Sequence, residues 1–103
     1  MTPINLFKPD QVEGQDESHE VLLEGSKVRI ERILSPPETR TKTQSQAHDE
    51  WVAVLQGSAK LELDGKELNL HRGDQLLIPA NTPHRVLSTS RQPQCLWLAV
   101  HIH

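Results

Sequence analysis

Glu50 and His84 are the pair in this sequence best suited to chemistry. Glu50 opens the apolar run EWVAVLQG, and His84 opens HRVLST just after IPANTP. A carboxylate and an imidazole at the starts of two neighbouring strands can point into one cavity mouth. There they suit a divalent transition metal such as iron, manganese, nickel or zinc. Strand alternation sets Glu50 on the face of Val52 and Val54, and His84 on the face of Val86. A carboxylate on an apolar face needs a partner, because a buried unpaired charge is costly. His84, a metal ion or an arginine can each supply it, and a plain ion pair closing the mouth is the simplest outcome.

The residues just before Glu50, QSQAHD, hold two amides, an imidazole and a carboxylate. They read either as part of a binding site or as a polar loop. Of the six histidines, His101 and His103 alternate at the end of WLAVHIH and share a face with Trp97 and Ala99. Histidines two apart on a strand can chelate a metal, although a frayed terminus is the commoner fate. His101 lies further from the end and can reach the pocket. His19 and His71 are expected to be exposed. Arg40 and Arg85 can meet an anionic ligand but are expected on solvated faces, and Trp51 and Trp97 in the core or an interface. Cys95 begins a strand without an evident base beside it, which argues against a thiolate nucleophile. The sequence contains no phosphate loop, no GxGxxG and no Gly-x-Ser-x-Gly elbow.

Short strands must position these groups. VLLEGSKVRIERIL (21–34) reads as two strands hinged near Gly25-Ser26. Pro36 and Pro37 keep SPPETRTKT (35–43) irregular. In KLELDGKELNL, leucines alternate with polar residues on both sides of Asp64-Gly65, the dipeptide favoured in a two-residue type I′ hairpin turn. DQLLIP, HRVLST and CLWLAVHIH complete the set, separated by turns at 71–74 and 80–83. Residues 1–19 read as an irregular polar arm with one short strand around Asn5–Phe7, and residues 20–103 as the folded domain. The absence of a 3.6-residue period argues for an antiparallel sandwich or barrel.

WVAVL is apolar on both faces, and LWLAV has the same character. One face lines the interior, so a second layer must cover the other. That points to a homodimer, with the N-terminal arm as the alternative cover.

The chain has 103 residues, enough for one domain with a core of its own. A single cysteine excludes an internal disulfide and fits a reducing, cytoplasmic setting. No signal peptide is expected, and no apolar run approaches the length that spans a bilayer. The net charge of −3, spread along the chain, and the 3% of aromatic residues offer no surface for nucleic acid. The expected partner is a small molecule, or another protein.

In its strand pattern and two motifs the sequence resembles the cupins, small proteins built on a double-stranded β-helix, or jelly roll. Gly73, Pro79 and His84 in GDQLLIPANTPHRVLS fall on the positions of the second cupin motif, with Asn81 replacing its middle glycine and Ser88 its final asparagine. Glu50 and Gly57 match the first motif. Gln44 and Gln46 stand where that motif has two histidines, and Glu38 where it has its first glycine. The resemblance spans roughly residues 20–103 and implies an all-β jelly-roll barrel with a pocket at its mouth. It also implies a metal held by Glu50 and His84, with Gln46 keeping an oxygen that can ligate and His48 placed to replace a lost imidazole. Gln44 and His101 join the pocket. Two functions follow as expectations. One is a divalent-metal-dependent enzyme, of dioxygenase or isomerase type, acting on a small organic molecule. The other is a module that binds a small ligand or a weak metal without turnover.

Overall fold

The structure is a computed structural model that describes residues 2–9 and 16–103. Residues 1 and 10–15 of the expected arm lie outside that description. Eight strands form: β1 (Ser18–Glu24), β2 (Val28–Ser35), β3 (Asp49–Gln56), β4 (Ser58–Leu63), β5 (Lys66–His71), β6 (Gln75–Ile78), β7 (His84–Thr89) and β8 (Cys95–Ile102). No helix forms among the described residues. The strands pair antiparallel into two sheets, ordered β1-β2-β8-β3-β6 and β5-β4-β7. This is the all-β, double-stranded β-helix architecture.

Local chemistry explains the main reversals. Asp64 and Gly65 adopt φ of 49° and 81°, the left-handed pair that a type I′ turn needs to join β4 and β5. Gly57 turns the chain from the larger sheet into the smaller one at φ 77°. Two positions where the resemblance places a glycine keep a left-handed backbone without one, Glu38 at φ 58° and Asn81 at φ 60°. Asparagine tolerates that region, whereas glutamate is strained in it.

Side chains from both sheets fill the interior. Ile33, Val52, Val54, Ile78, Trp97 and Ala99 come from the larger sheet, and Ala59, Leu61 and Leu70 from the smaller one. The Trp97 indole N–H donates to Ser35 Oγ at 3.0 Å, satisfying the one polar atom of that buried ring. The register carries a second apolar row on the outer side of the larger sheet, running Ile30, Val100, Trp51, Leu77. Leu77 is 47% exposed, so this row is only partly covered.

The N-terminal arm meets the outer side at Arg32, whose guanidinium donates to the Asn5 carbonyl at 2.8 Å and to Glu20 Oε1 at 2.6 Å. The short strand expected at Asn5–Phe7 does not form. Asn5 Oδ1 instead accepts from the Phe7 N–H at 2.8 Å, and the Asn5 carbonyl accepts from the Lys8 N–H at 3.1 Å. That side-chain turn satisfies the backbone locally and removes the need for a strand partner.

Candidate functional site

A cavity of about 110 Å³ lies between the two sheets, lined by residues of both. Ile33, Val52, Leu61, Ile78, Val86 and Trp97 line its apolar part. Its polar rim carries Glu17, His19, Glu31, Gln44, Gln46, Glu50, His84, Arg85 and His101.

The register explains why these groups converge. Glu50 on β3 pairs with His101 on β8 and with Ile78 on β6, and cross-strand partners share a face. His101 in turn pairs with Arg29 on β2. Glu50 and His84 are therefore not on neighbouring strands, as the sequence had suggested, because β3 and β7 belong to different sheets. They meet across the interior, with His84 Nε2 4.0 Å from Glu50 Oε1. Each residue is only 8% exposed.

Backbone and side-chain contacts hold both groups in place. His84 Nδ1 lies 2.9 Å from the Thr82 carbonyl, a contact that places the proton on Nδ1 and turns Nε2 toward Glu50. The segment before β3 runs beside β7: the Gln44 N–H donates to the His84 carbonyl, and the His84 N–H to the Gln44 carbonyl. That exchange puts Gln44 at the mouth. Gln46 Nε2 donates to Glu50 Oε1 at 2.8 Å. Asp49 Oδ1 accepts from the Ala80 N–H at 2.8 Å and pins the loop before His84.

A second polar chain runs beside this pair. His101, 6% exposed, lies with Nε2 3.3 Å from Glu31 Oε2 and Nδ1 2.8 Å from His48 Nε2. His19 Nδ1 stands 3.5 Å from the same Glu31 oxygen. Arg29 Nε approaches Glu31 Oε1 at 3.2 Å without hydrogen-bond alignment. His101 is thus held inside β8 and is not frayed. Burial, then the neighbouring His101 and His103 imidazoles, hold the His48 pKa below the ordinary imidazole value.

The structure gathers Glu50, His84, Gln44, Gln46 and His101 around one cavity. His48 stands behind His101 and does not line it. Glu17 and Glu31 belong to the rim and escaped the sequence reading, while His19 reaches the rim with its side chain 51% exposed, as expected. β1 and β2 pair with each other locally, but the register that carries Glu31 to His101 is the pairing of β2 with β8, which is distant in sequence. His71 is exposed, as expected, and its imidazole lies 3.7 Å from Asp74. Cys95 is fully buried, and burial first, then Glu17, pushes its thiol pKa up to about 12, so it offers no nucleophile.

The residues present do not match a tight metal centre. Among the described residues, no group of three or more histidine, cysteine, aspartate or glutamate side chains is arranged to hold an ion. Glu50 and His84 supply two convergent donors. Gln46 turns its amide nitrogen toward Glu50, and His48 Nε2 is engaged by His101.

Two antiparallel sheets wound as a double-stranded β-helix around a cavity with a polar rim define the class of fold. The chain belongs to the cupins: residues 32–101 match the Cupin domain family. It is similar over 99% of its length to 98% of a protein from Ralstonia eutropha provisionally named a mannose-6-phosphate isomerase, at 36% identity and a TM-score of 0.87. The TT1209 structure from Thermus thermophilus superposes with a TM-score of 0.86 at 18% identity, covering 99% of this chain and 97% of that one. KdgF from a Halomonas species superposes with a TM-score of 0.79 at 17% identity, over 97% and 91% of the two chains. At that identity the last two speak for the fold alone. No curated protein matches the sequence. Among the described residues, no helix is long and apolar enough to cross a membrane.

Proposed function

We propose that this cupin binds a small organic molecule in the cavity between its sheets, with Glu50 and His84 as the groups that act on it. The observation that carries the reading is their convergence at 4.0 Å from opposite sheets, both buried, above an apolar floor. A buried carboxylate with an imidazole facing it is a proton-accepting and proton-donating pair. His84 Nε2 takes the role of base and Glu50 that of the group that supports imidazolium formation. Gln44, Gln46 and His101 hold the polar side of the ligand by hydrogen bonds, and Trp97 and Val52 its apolar side.

Thermal-shift screening of a metal-stripped sample against small polar organic molecules tests this. Ligands that stabilise the wild type should lose their effect in His84→Ala. A ligand that stabilises both equally places the site elsewhere.

The second reading is the divalent-metal-dependent enzyme, of dioxygenase or isomerase type. Glu50 and His84 support it as a carboxylate–imidazole pair, and it needs Gln46 to turn its amide oxygen inward as a third donor. The name of the Ralstonia relative, an isomerase of a phosphorylated sugar, belongs with this reading. Elemental analysis of protein made without a histidine tag and incubated with iron, manganese, nickel or zinc separates the two. Metal lost on His84→Ala favours the metal-dependent reading, and metal-free protein in every case favours the first.

We also propose association in pairs through the outer apolar row. Trp51, Val100 and Leu77 lie side by side there, and the described contacts of the arm fall on Arg32 instead.

A further inference from the structure

The charge of the cavity restricts what can enter it. Glu17, Glu31 and Glu50 all line it, and the one guanidinium among the described lining residues, Arg85, is turned away. Arg85 Nε donates to Glu62 Oε1 at 3.1 Å, and its Nη2 stands 3.4 Å from Glu62 Oε2. Arg29 does not line the cavity, and its Nε lies 3.2 Å from Glu31 Oε1 without forming a hydrogen bond. Glu50 is buried, accepts a hydrogen bond from the neutral amide of Gln46 and stands 4.0 Å from the His84 imidazole, with no guanidinium or ammonium group among the described residues paired to it. The apolar floor of Val52, Ile78 and Trp97 keeps the local dielectric low, which strengthens repulsion between like charges.

We infer that the cavity selects a small hydrogen-bond-donating molecule that carries no negative charge, and that it rejects phosphate esters. The inference rests on the proposed small-molecule site and deepens it by naming the ligand class. Carboxylate oxygens and imidazole nitrogens accept hydrogen bonds, so hydroxyl and ammonium groups match the rim. A phosphate ester would sit against Glu50 and Glu17 with no unpaired guanidinium or ammonium group among the described lining residues to meet it, and juxtaposed like charges oppose binding.

The test uses three molecules that differ at one position: glycerol, 3-amino-1,2-propanediol and glycerol 3-phosphate. Each is titrated to about 100 mM into the metal-stripped protein with a chelator present, a concentration that reveals very weak binding. The samples are held at pH 8, above the ordinary imidazole pKa. Chemical shifts of Val52, Ile78 and Trp97 report occupancy. The expected order is amine first, then triol, with the phosphate ester at least about tenfold weaker than the triol. Glu50→Gln and the rim variant Glu17→Gln, which tests the same field with less risk to folding, should each narrow that gap. Glycerol 3-phosphate binding as tightly as glycerol overturns the inference and leaves the small-molecule site standing. Shifts at the cavity with none of the three overturn the site itself, and the inference with it.

Discussion

Substituting Gly57 by alanine should be among the most damaging single-methyl changes in the chain. A Cβ built there meets Ser90 Oγ at 2.6 Å, the Gln94 carbonyl at 2.8 Å and the Pro93 carbonyl at 2.9 Å. The two carbonyls are backbone and cannot swing aside. Ser90 Oγ can move only by giving up its contact to Pro93 and the bond it accepts from the Ser58 N–H. The left-handed φ of 77° adds about 1 kcal/mol for any residue with a Cβ. Loss of the two hydroxyl bonds adds about 1 kcal/mol each, for roughly 3 kcal/mol in all. Glu38 is the contrasting case. It has the same left-handed backbone, and its ion pair with Arg91 at 3.0 Å is open to water at both ends, so it contributes little. Glu38→Gly should therefore raise stability by about 0.5 kcal/mol or more, because strain relief exceeds the extra chain entropy of glycine. Urea denaturation of the three proteins measures both effects. A Gly57→Ala cost under about 1 kcal/mol, or a destabilised Glu38→Gly, refutes the reasoning from backbone conformation.

Three further outcomes follow. Cys95 should resist thiol reagents at pH 8 in the native state and react only on unfolding, as stopped-flow labelling with and without urea will show. The lowered His48 pKa means that the unfolded chain binds a proton more readily than the folded one. Stability should fall as pH drops through the unfolded value of 6.5 and level off below the folded one, and His48→Gln should flatten that slope in urea titrations at pH 5 to 7.5. Light scattering should find a dimer at tens of micromolar, and Leu77→Lys should convert it to monomer without loss of the fold; a monomeric wild type contradicts the proposed outer interface.

Much of the frame was legible in residue order. Leucine alternation around Asp64-Gly65 marked the β4–β5 hairpin, because a period of two and a left-handed turn residue are local properties. The two-faced character of WVAVL identified β3, with Val52 and Val54 buried inside and Trp51 left half-covered outside. The cupin family followed from Glu50, Gly57, Gly73, Pro79 and His84, each of which carries a motif position. What stayed hidden depends on pairing between distant strands. A shared mouth for Glu50 and His84 was legible only on the condition that their strands were neighbours, whereas they meet across the interior from different sheets. Glu31 reaches the site because β2 pairs with β8, a register that joins residues some seventy positions apart and leaves no trace in either segment. At Asn5, the side chain's capacity to close a turn on Phe7 overrode the extended reading.

The central claim is that Glu50 and His84 share a ligand cavity between the sheets. Fragment screening of the metal-stripped protein by nitrogen–proton correlation spectroscopy tests it most directly. Bound fragments should shift Val52, Ile78, His84 and the Trp97 indole together, and Glu50→Gln should change which fragments bind. Fragments that shift only residues outside the cavity, with those four signals unmoved, contradict it.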